Sequence, residues 1–395
     1  MMKDIYDVVV VGAGPSGSHT ASRLSELGYR VIVLERKEEA GEDICCTGII
    51  SVECFDAFNL EADILRQASS AKFFAPSGES IRLHRDNPLA YILDRPSLDK
   101  SLKEHAQRSG ADYLFSAPVV AITPEPDCIS VMVDCRGEQR TFNGQAVILA
   151  CGFASKLPEK IGLGKINNFA FGAQAEVDTI NIDEVEVYFD QNLFPGFFGW
   201  LVPTSANKGL AGLLVGENPA LHLGDWLSRL QSQGKIATSQ VDKKFDAIPM
   251  GFLRRTYDDR IIVVGEAAGH VKPTTGGGIY YGLLCADIAA DCLHQAFLTN
   301  DFSTAGLSVY DRQWRVKLGN ELKTGYWARR FYKRLSNRRI NHLFQLARDN
   351  GIPELVAEGQ DFSFDWHGSL VSGALKRLAI AVPLQPIRGL LKRSR

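Results

Sequence analysis

The chain has 395 residues, 45% of them hydrophobic and 23% charged, with a formal net charge of −2. This is ordinary globular composition, long enough for two or three domains with sizeable cores, and nothing in its charge balance points to a nucleic-acid partner. The 8 cysteines form no CxxC pair, and no apolar run reaches the roughly 18 residues of a spanning helix, so a reducing cytosol, no metal site and no membrane span are expected.

Residues 1–6 run straight into the first strand, so no signal peptide is expected. Residues 8–17 read VVVVGAGPSG. Four valines predict a fully buried parallel strand. Gly12, Gly14 and Gly17 follow in GxGxxG spacing, with Pro15 and Ser16 between them. The first glycine permits the tight turn, the second lets a pyrophosphate approach the backbone, and the third lets the helix pack on the strand. The helix predicted over 18–27 stops at Gly28 and points its positive end at the phosphates. A second apolar strand, 31–34, ends in Glu35, 18 residues past Gly17. That is where a carboxylate binds an adenosine ribose, and Arg36 follows it.

A polar loop then carries the adjacent Cys45 and Cys46, and Gly48. That pair suits neither a zinc knuckle nor a disulfide staple. A loop leaving the edge of a nucleotide domain is a natural place to meet the reactive end of a cofactor. Residues 73–93 look strand-rich, Arg95–Pro96 breaks the pattern, and 97–109 reads as a helix stopped by Gly110. Strands at 119–122, 129–133 and 139–142 form a meander, and 146–150 is a further apolar strand. From residue 167 the pattern changes. Strands at 169–177, 185–188, 200–202 and 210–215 predict one antiparallel sheet, with a helix at 221–233 against it. Residues 260–265 return to the first domain, and a glycine-rich run, AGHVKPTTGGG, leads into a long apolar helix at 279–296. Beyond Asp301 the chain reads mostly helical and basic, with 17 Lys and Arg against 8 Asp and Glu, while the rest holds 27 against 38. The tail at 373–395 is apolar and basic. A basic quarter on an acidic body suits an anionic surface or ligand.

The expected fold class is α/β: a Rossmann-like domain (1–70, 95–160 and 255–300), an antiparallel-sheet substrate domain (71–94 and 161–254) and a helical, basic C-terminal region (301–395).

The order of these motifs resembles the FAD-binding framework of the flavoprotein hydroxylase fold and, within it, the geranylgeranyl reductase family. The resemblance rests on VVGAGPSGS, Glu35, a D-R-x-x-x-D element (Asp94, Arg95, Asp99) and GEAAGHVKPTTGGGI. Three stretches favour the family: CTGII at 46–50, FGWLVPTSANKGLAGL at 198–213, and PTTGGGI at 273–279. The likeness spans roughly residues 5–300. It implies FAD contacts from Gly12, Gly14, Pro15, Ser16, Gly17, Glu35, Arg36, Cys46, Gly48, Arg95, Val120, Gly265, Glu266, Pro273, Gly276, Gly277, Gly278 and Ile279. It also implies reduction of isolated carbon–carbon double bonds in a polyprenyl lipid or diphosphate, with NAD(P)H or another reductant loading the flavin. Two departures stand out. Glu266 replaces the family's aspartate, and Cys151–Gly152 replaces an Asp-Gly tied to nicotinamide handling in the hydroxylases, which counts against direct reduction by NADPH.

The flavin supplies hydride or its equivalent. The protein must hold the alkene flat, exclude water and deliver a proton to the second carbon. Cys46 is the candidate catalytic residue, as proton donor or as a positioner of the alkene; Cys45 is read as structural. Phe194, Phe198 and Trp200, with Phe197, are expected to line an apolar tunnel. Tyr280 and Tyr281 are read as packing, and His84, His222 and His270 as structural. The basic C-terminal region fits contact with anionic lipid headgroups, so the expected location is cytoplasmic with peripheral membrane contact. The competing reading is a flavin monooxygenase or halogenase on the same framework, for which Lys72 is the tempting residue. An electron-transfer flavoprotein would want clustered cysteines for an iron–sulfur centre, which this chain lacks.

Overall fold

The computed structural model describes residues 5–354, 363–366 and 368. The valine run forms the strand Ile5–Val11 at the centre of an eight-stranded sheet. It pairs in parallel with Val31–Leu34 on one side and Glu138–Leu149 on the other, and Asp112–Leu114 and Ile261–Val263 extend the parallel set. Val8, Val9 and Val10 have no exposed surface, as a strand covered on both faces requires. Alternate valines face different layers. Val8 and Val10 meet the helices Pro15–Glu26, Ile279–Thr299 and Thr304–Tyr332. Val9 and Val11 meet Ile129, Val131 and Val133 of the meander. The helix Thr304–Tyr332 is therefore part of the first domain's core, with Tyr310 and Trp314 fully buried against it.

The second sheet has seven strands, in the order Lys243–Pro249, Phe169–Asp178, Lys208–Val215, Gly199–Pro203, Val185–Tyr188, Ser70–Phe74 and Ser80–His84. All pairs are antiparallel except Val185–Tyr188 with Ser70–Phe74. The helix Pro219–Ser232 covers one face through Leu223, Trp226, Leu227 and Leu230.

Several elements differ from the sequence expectation. The strands expected at 139–142 and 146–150 are one strand, Glu138–Leu149. Gly144 sits inside it because a Cβ there would lie 3.0 Å from Val9 Cγ2. The strand pattern does end before Arg95, but the helix expected from Ser97 already opens at Arg95 and runs Arg95–Arg108. Asp94 caps it by accepting from Ser97 N at 2.9 Å, and proline suits a first turn, where its missing N–H leaves no bond unmade. Ala90–Leu93 joins Ile49–Ser51 and Ile64–Ala68 in a third, three-stranded sheet, not the second. The strand Lys243–Pro249 carries no clear alternation and is absent from the sequence reading. The apolar, basic tail at 373–395 lies outside the described residues.

Candidate active site

The glycine turn is sterically specified. Gly12 has φ +107°, and a Cβ on it would lie 2.4 Å from the Ala150 carbonyl oxygen. A Cβ on Gly17 would lie 2.0 Å from the Gly12 carbonyl oxygen. Gly14 differs: nothing stands within 4 Å of its Cβ position, so no protein atom restricts it and the space in front of it is open. It is the N-cap of the first helix, Pro15 opens that helix, and no side chain caps it. With no side-chain cap and no atom within 4 Å of the Gly14 Cβ position, the turn leaves room for an anion at the helix N-terminus. Glu35, 9% exposed, accepts from Ala13 N at 2.7 Å and Lys37 N at 2.9 Å, which fixes its carboxylate beside the turn. Arg36 is exposed. Val120 is half-buried in the strand Val119–Pro124, three residues past Ala117, whose amide donates to the Glu35 carbonyl. Ser16 faces Gly265 and Gly282, at both of which a Cβ would lie within 2.7 Å of its hydroxyl.

The second half of the site is the cysteine loop. Gly48 has φ +71°, and a Cβ would strike the Leu93 carbonyl oxygen at 2.3 Å. Its amide donates to Cys46 Sγ at 3.4 Å, and the Arg95 guanidinium faces the same sulfur. Arg95 is buried and paired with Asp99 at 2.8 Å, but its Nε has no partner. From the second sheet Gln174 donates through Nε2 to the Cys46 carbonyl at 3.2 Å, and its buried Oε1 is also unpartnered. Burial, then Asp246 and Cys46, push the Cys45 thiol up to about 12, so it stays protonated. The loop is thus held between the helix Arg95–Arg108 and the second sheet.

Gly265 (φ +66°) and Glu266 end the return strand. Burial, reinforced by Asp246 and opposed by Arg95, pushes the Glu266 carboxyl up to about 7 from an ordinary 4.5. The folded state therefore holds this proton more tightly than the unfolded chain. Its stabilising contribution is full below pH 4.5 and is lost as pH rises through 7. Cofactor-free protein is expected to lose thermal stability across that window, and Glu266→Gln to flatten the loss; an unchanged slope in the variant would contradict the assignment.

Pro273, Gly276, Gly277 and Gly278 form a compact loop before Ile279, the first residue of the Ile279–Thr299 helix. Lys272 N donates to the Gly277 carbonyl, and Gly276 N to the Lys272 carbonyl, both at 2.9 Å. A Cβ on Gly276 would meet Leu214 and Ile248 at 3.3 and 3.5 Å, so the loop rests on the second sheet. That sheet face carries Phe198, Trp200, Leu214 and Ile248. A Cβ on Gly212 would lie 2.5 Å from the Trp200 ring, so this glycine seats the indole. Phe194 is a correction to the tunnel reading. It is fully buried on the opposite face, edge-on to Trp226 at 5.2 Å, with its ring where a Cβ on Gly199 would go. The chain between Phe194 and Gly199 is not strand, so Phe194 packs on the opposite side from Trp200 and is core. An apolar cavity of about 270 Å³ opens beside the loop, lined by Met250, Phe252, Val271, Pro273, Tyr326 and Trp327 among others.

Three residues of this region escaped the sequence reading. Gln174 carried one signal that could have found it, a lone amide in an apolar strand. Lys272 and Asp365 carried none, because their pairing joins segments 93 residues apart. Lys272, 6% exposed, meets Asp365, 2% exposed, at 2.6 Å. Asp365 also accepts from Ser51 Oγ, and its carbonyl accepts from Tyr281 OH at 2.9 Å. Trp366 packs on Tyr280 and Tyr281, both of which pack as expected. His270 is buried between the loop and Trp314; burial, then Arg315, push it down to about 3, so it is neutral. His84 is exposed and His222 half-buried, both away from the loop. Lys72 pairs with Glu184 at 2.6 Å.

The open space at Gly14, the fixed Glu35 carboxylate and the orphaned polar atoms of Arg95 and Gln174 fit a dinucleotide lying from the glycine turn to the cysteine loop, as FAD would. Residues 5–208 match the family model of the FAD binding domain. A digeranylgeranylglycerophospholipid reductase of Methanococcus vannielii is 30% identical over 339 residues, covering 82% of this chain and 86% of that protein. A geranylgeranyl bacteriochlorophyll reductase-like structure from Thermoplasma acidophilum aligns with a TM-score of 0.85 at 22% identity, over 98% of this chain and 100% of that one. A p-nitrophenol 4-monooxygenase from Pseudomonas putida aligns with a TM-score of 0.71 at 20% identity, over 95% and 99%.

Proposed function

Because the chain belongs to the digeranylgeranylglycerophospholipid reductase family of FAD-dependent oxidoreductases, we propose that it reduces isolated carbon–carbon double bonds in the polyprenyl chains of a geranylgeranyl-type lipid. One observation carries this reading. The cysteine loop is tied to Gln174, on the sheet face where Trp200 and Leu214 offer a flat apolar floor. Bound FAD supplies hydride or its equivalent.

The residues of the chain do the rest. Trp200 and Phe198 hold an alkene by dispersion and area burial, and the cavity beside Pro273 takes up further prenyl units and excludes water. Cys46 holds a proton at Sγ. The Gly48 amide and the Arg95 guanidinium face that sulfur, so the thiolate left after proton release is stabilised where it forms. An ordinary general acid contributes about 10²- to 10⁴-fold. Cys46→Ala is therefore expected to lower kcat by at least ~10²-fold with KM and the visible flavin spectrum kept, whereas Cys45→Ala changes little. An unchanged kcat in the Cys46 variant would remove the thiol from the proton path.

The physiological reductant in this reading is NAD(P)H or another reductant. Trp327 and Phe331, both exposed, stand among Lys323, Arg330, Lys333 and Arg334, which supports peripheral contact with anionic lipid. No helix among the described residues is long and apolar enough to cross a membrane. Failure to co-sediment with anionic vesicles at low salt would remove that contact. The monooxygenase or halogenase reading has less support, since Lys72 is engaged by Glu184 and Phe198 stands at the first aromatic of the halogenase motif.

A further inference from the structure

Arg329 sits in the last turn of the long helix Thr304–Tyr332, and its charge is poorly compensated. One nitrogen, Nη2, donates to the neutral Asn168 Oδ1 at 3.2 Å, and the guanidinium lies 5.1 Å from the centre of the Phe197 ring. Its Nε has no partner and no exposed surface. Among the described residues no carboxylate pairs with it. Burial lowers its pKa, and only Tyr326 opposes that. A half-desolvated cation held this way is costly unless an anion completes the site.

The surroundings specify what kind of anion. One and two turns earlier on the same helix, Tyr326, Trp327, Leu322 and Lys323 line the apolar cavity. Gly325 of that stretch touches the flavin-side loop, its Cβ position 3.2 Å from Pro273 Cδ. On the other side of Arg329, Lys333 lies across Gly196, with Cγ 3.0 Å from its Cβ position. A second cation therefore flanks the first, and no acid lies between residues 322 and 348. Cations one turn along the helix from residues that line an apolar cavity match an amphiphile with an anionic head and a hydrocarbon chain. Guanidinium is the side chain best shaped for phosphate oxygens.

We propose that Arg329, with Lys333 beside it, is the anchor for the phosphate of the amphiphilic substrate, whose chain runs from there into the cavity toward the Pro273 loop. The chain's identity rests on the reductase reading; the phosphate site itself does not. The test is binding to the oxidised holoenzyme by calorimetry, with geranylgeranyl phosphate, geranylgeraniol and inorganic phosphate as probes in neutral detergent. Geranylgeranyl phosphate is expected to bind at least about tenfold more tightly than the alcohol. Arg329→Gln is expected to abolish that advantage, Arg329→Lys to keep part of it, and Arg338→Gln, an exposed basic residue on the next helix, to leave it intact. Equal affinity of wild type for phosphate and alcohol would overturn the proposal. So would an advantage that survives in Arg329→Gln, or an equal loss in Arg338→Gln, which would mark a diffuse field. Inorganic phosphate binding as tightly as the prenyl phosphate would assign the site to a free anion and overturn the headgroup assignment. Turnover decides the other reading separately: a wild type that shows the phosphate advantage but reduces neither prenyl compound would retain the anchor and lose the reductase.

Discussion

Gly14→Ala is expected to yield a colourless protein that is as stable as cofactor-free wild type, whereas Gly17→Ala is expected to lose both flavin and stability. The two glycines are three residues apart and restricted by different things. At Gly17 an added methyl meets the Gly12 carbonyl oxygen at 2.0 Å, a backbone atom of the turn itself. The strand–helix contact must open, and overpacking of this kind costs typically 1–3 kcal/mol, more where backbone cannot give. At Gly14 the methyl meets nothing within 4 Å, and φ is −70°, which alanine adopts freely. Its only cost is to a ligand whose pyrophosphate approaches the helix N-terminus. Urea unfolding of the two cofactor-free variants, beside flavin titration, separates the effects. A Gly14→Ala protein that binds FAD normally would contradict the placement of the pyrophosphate.

The second large effect concerns the buried pair at the base of the flavin-side loop. Asp365→Ala leaves the Lys272 ammonium buried without its anion, and removing one partner of such a pair costs about 3–5 kcal/mol. Lys272 also closes the 272–277 loop through its own backbone, so its side chain and the loop move together. The expected result is a large drop in the urea midpoint together with weakened flavin retention. Replacing both residues by apolar side chains of similar volume, Lys272→Met with Asp365→Leu, is expected to recover most of the stability. A single variant costing less than about 1 kcal/mol would show that water or another group reaches Lys272.

Features whose physics is local were legible in the sequence. The valine run, the three glycines and Glu35 announce a strand, a turn and a ribose-binding acid within a short window. The strand and the tight turn form there, and Glu35 is held beside the turn by the Ala13 amide. The edge strand Lys243–Pro249 was not legible, because its first four residues are exposed and carry no buried alternation. Phe194 misled because FPGFFGW places Phe194, Phe198 and Trp200 four and two residues apart, where strand alternation would put them on one face. The chain is irregular between Phe194 and Gly199, which reverses the side on which Phe194 packs. The Lys272–Asp365 pair and the Gln174 tie to the cysteine loop join segments distant in the chain, and no local pattern records which polar residues will meet.

The central claim is reduction of an isolated alkene by a flavin protein, and its most direct test is anaerobic. The purified holoenzyme is reduced with dithionite and mixed with geranylgeranyl lipids and geranylgeranyl diphosphate, and the masses of the products are measured. The account predicts a gain of one pair of hydrogens for each double bond reduced, with loss of that gain in Cys46→Ala. No gain without oxygen, and oxygenated products on repeating the reaction in air, would contradict it and identify a monooxygenase.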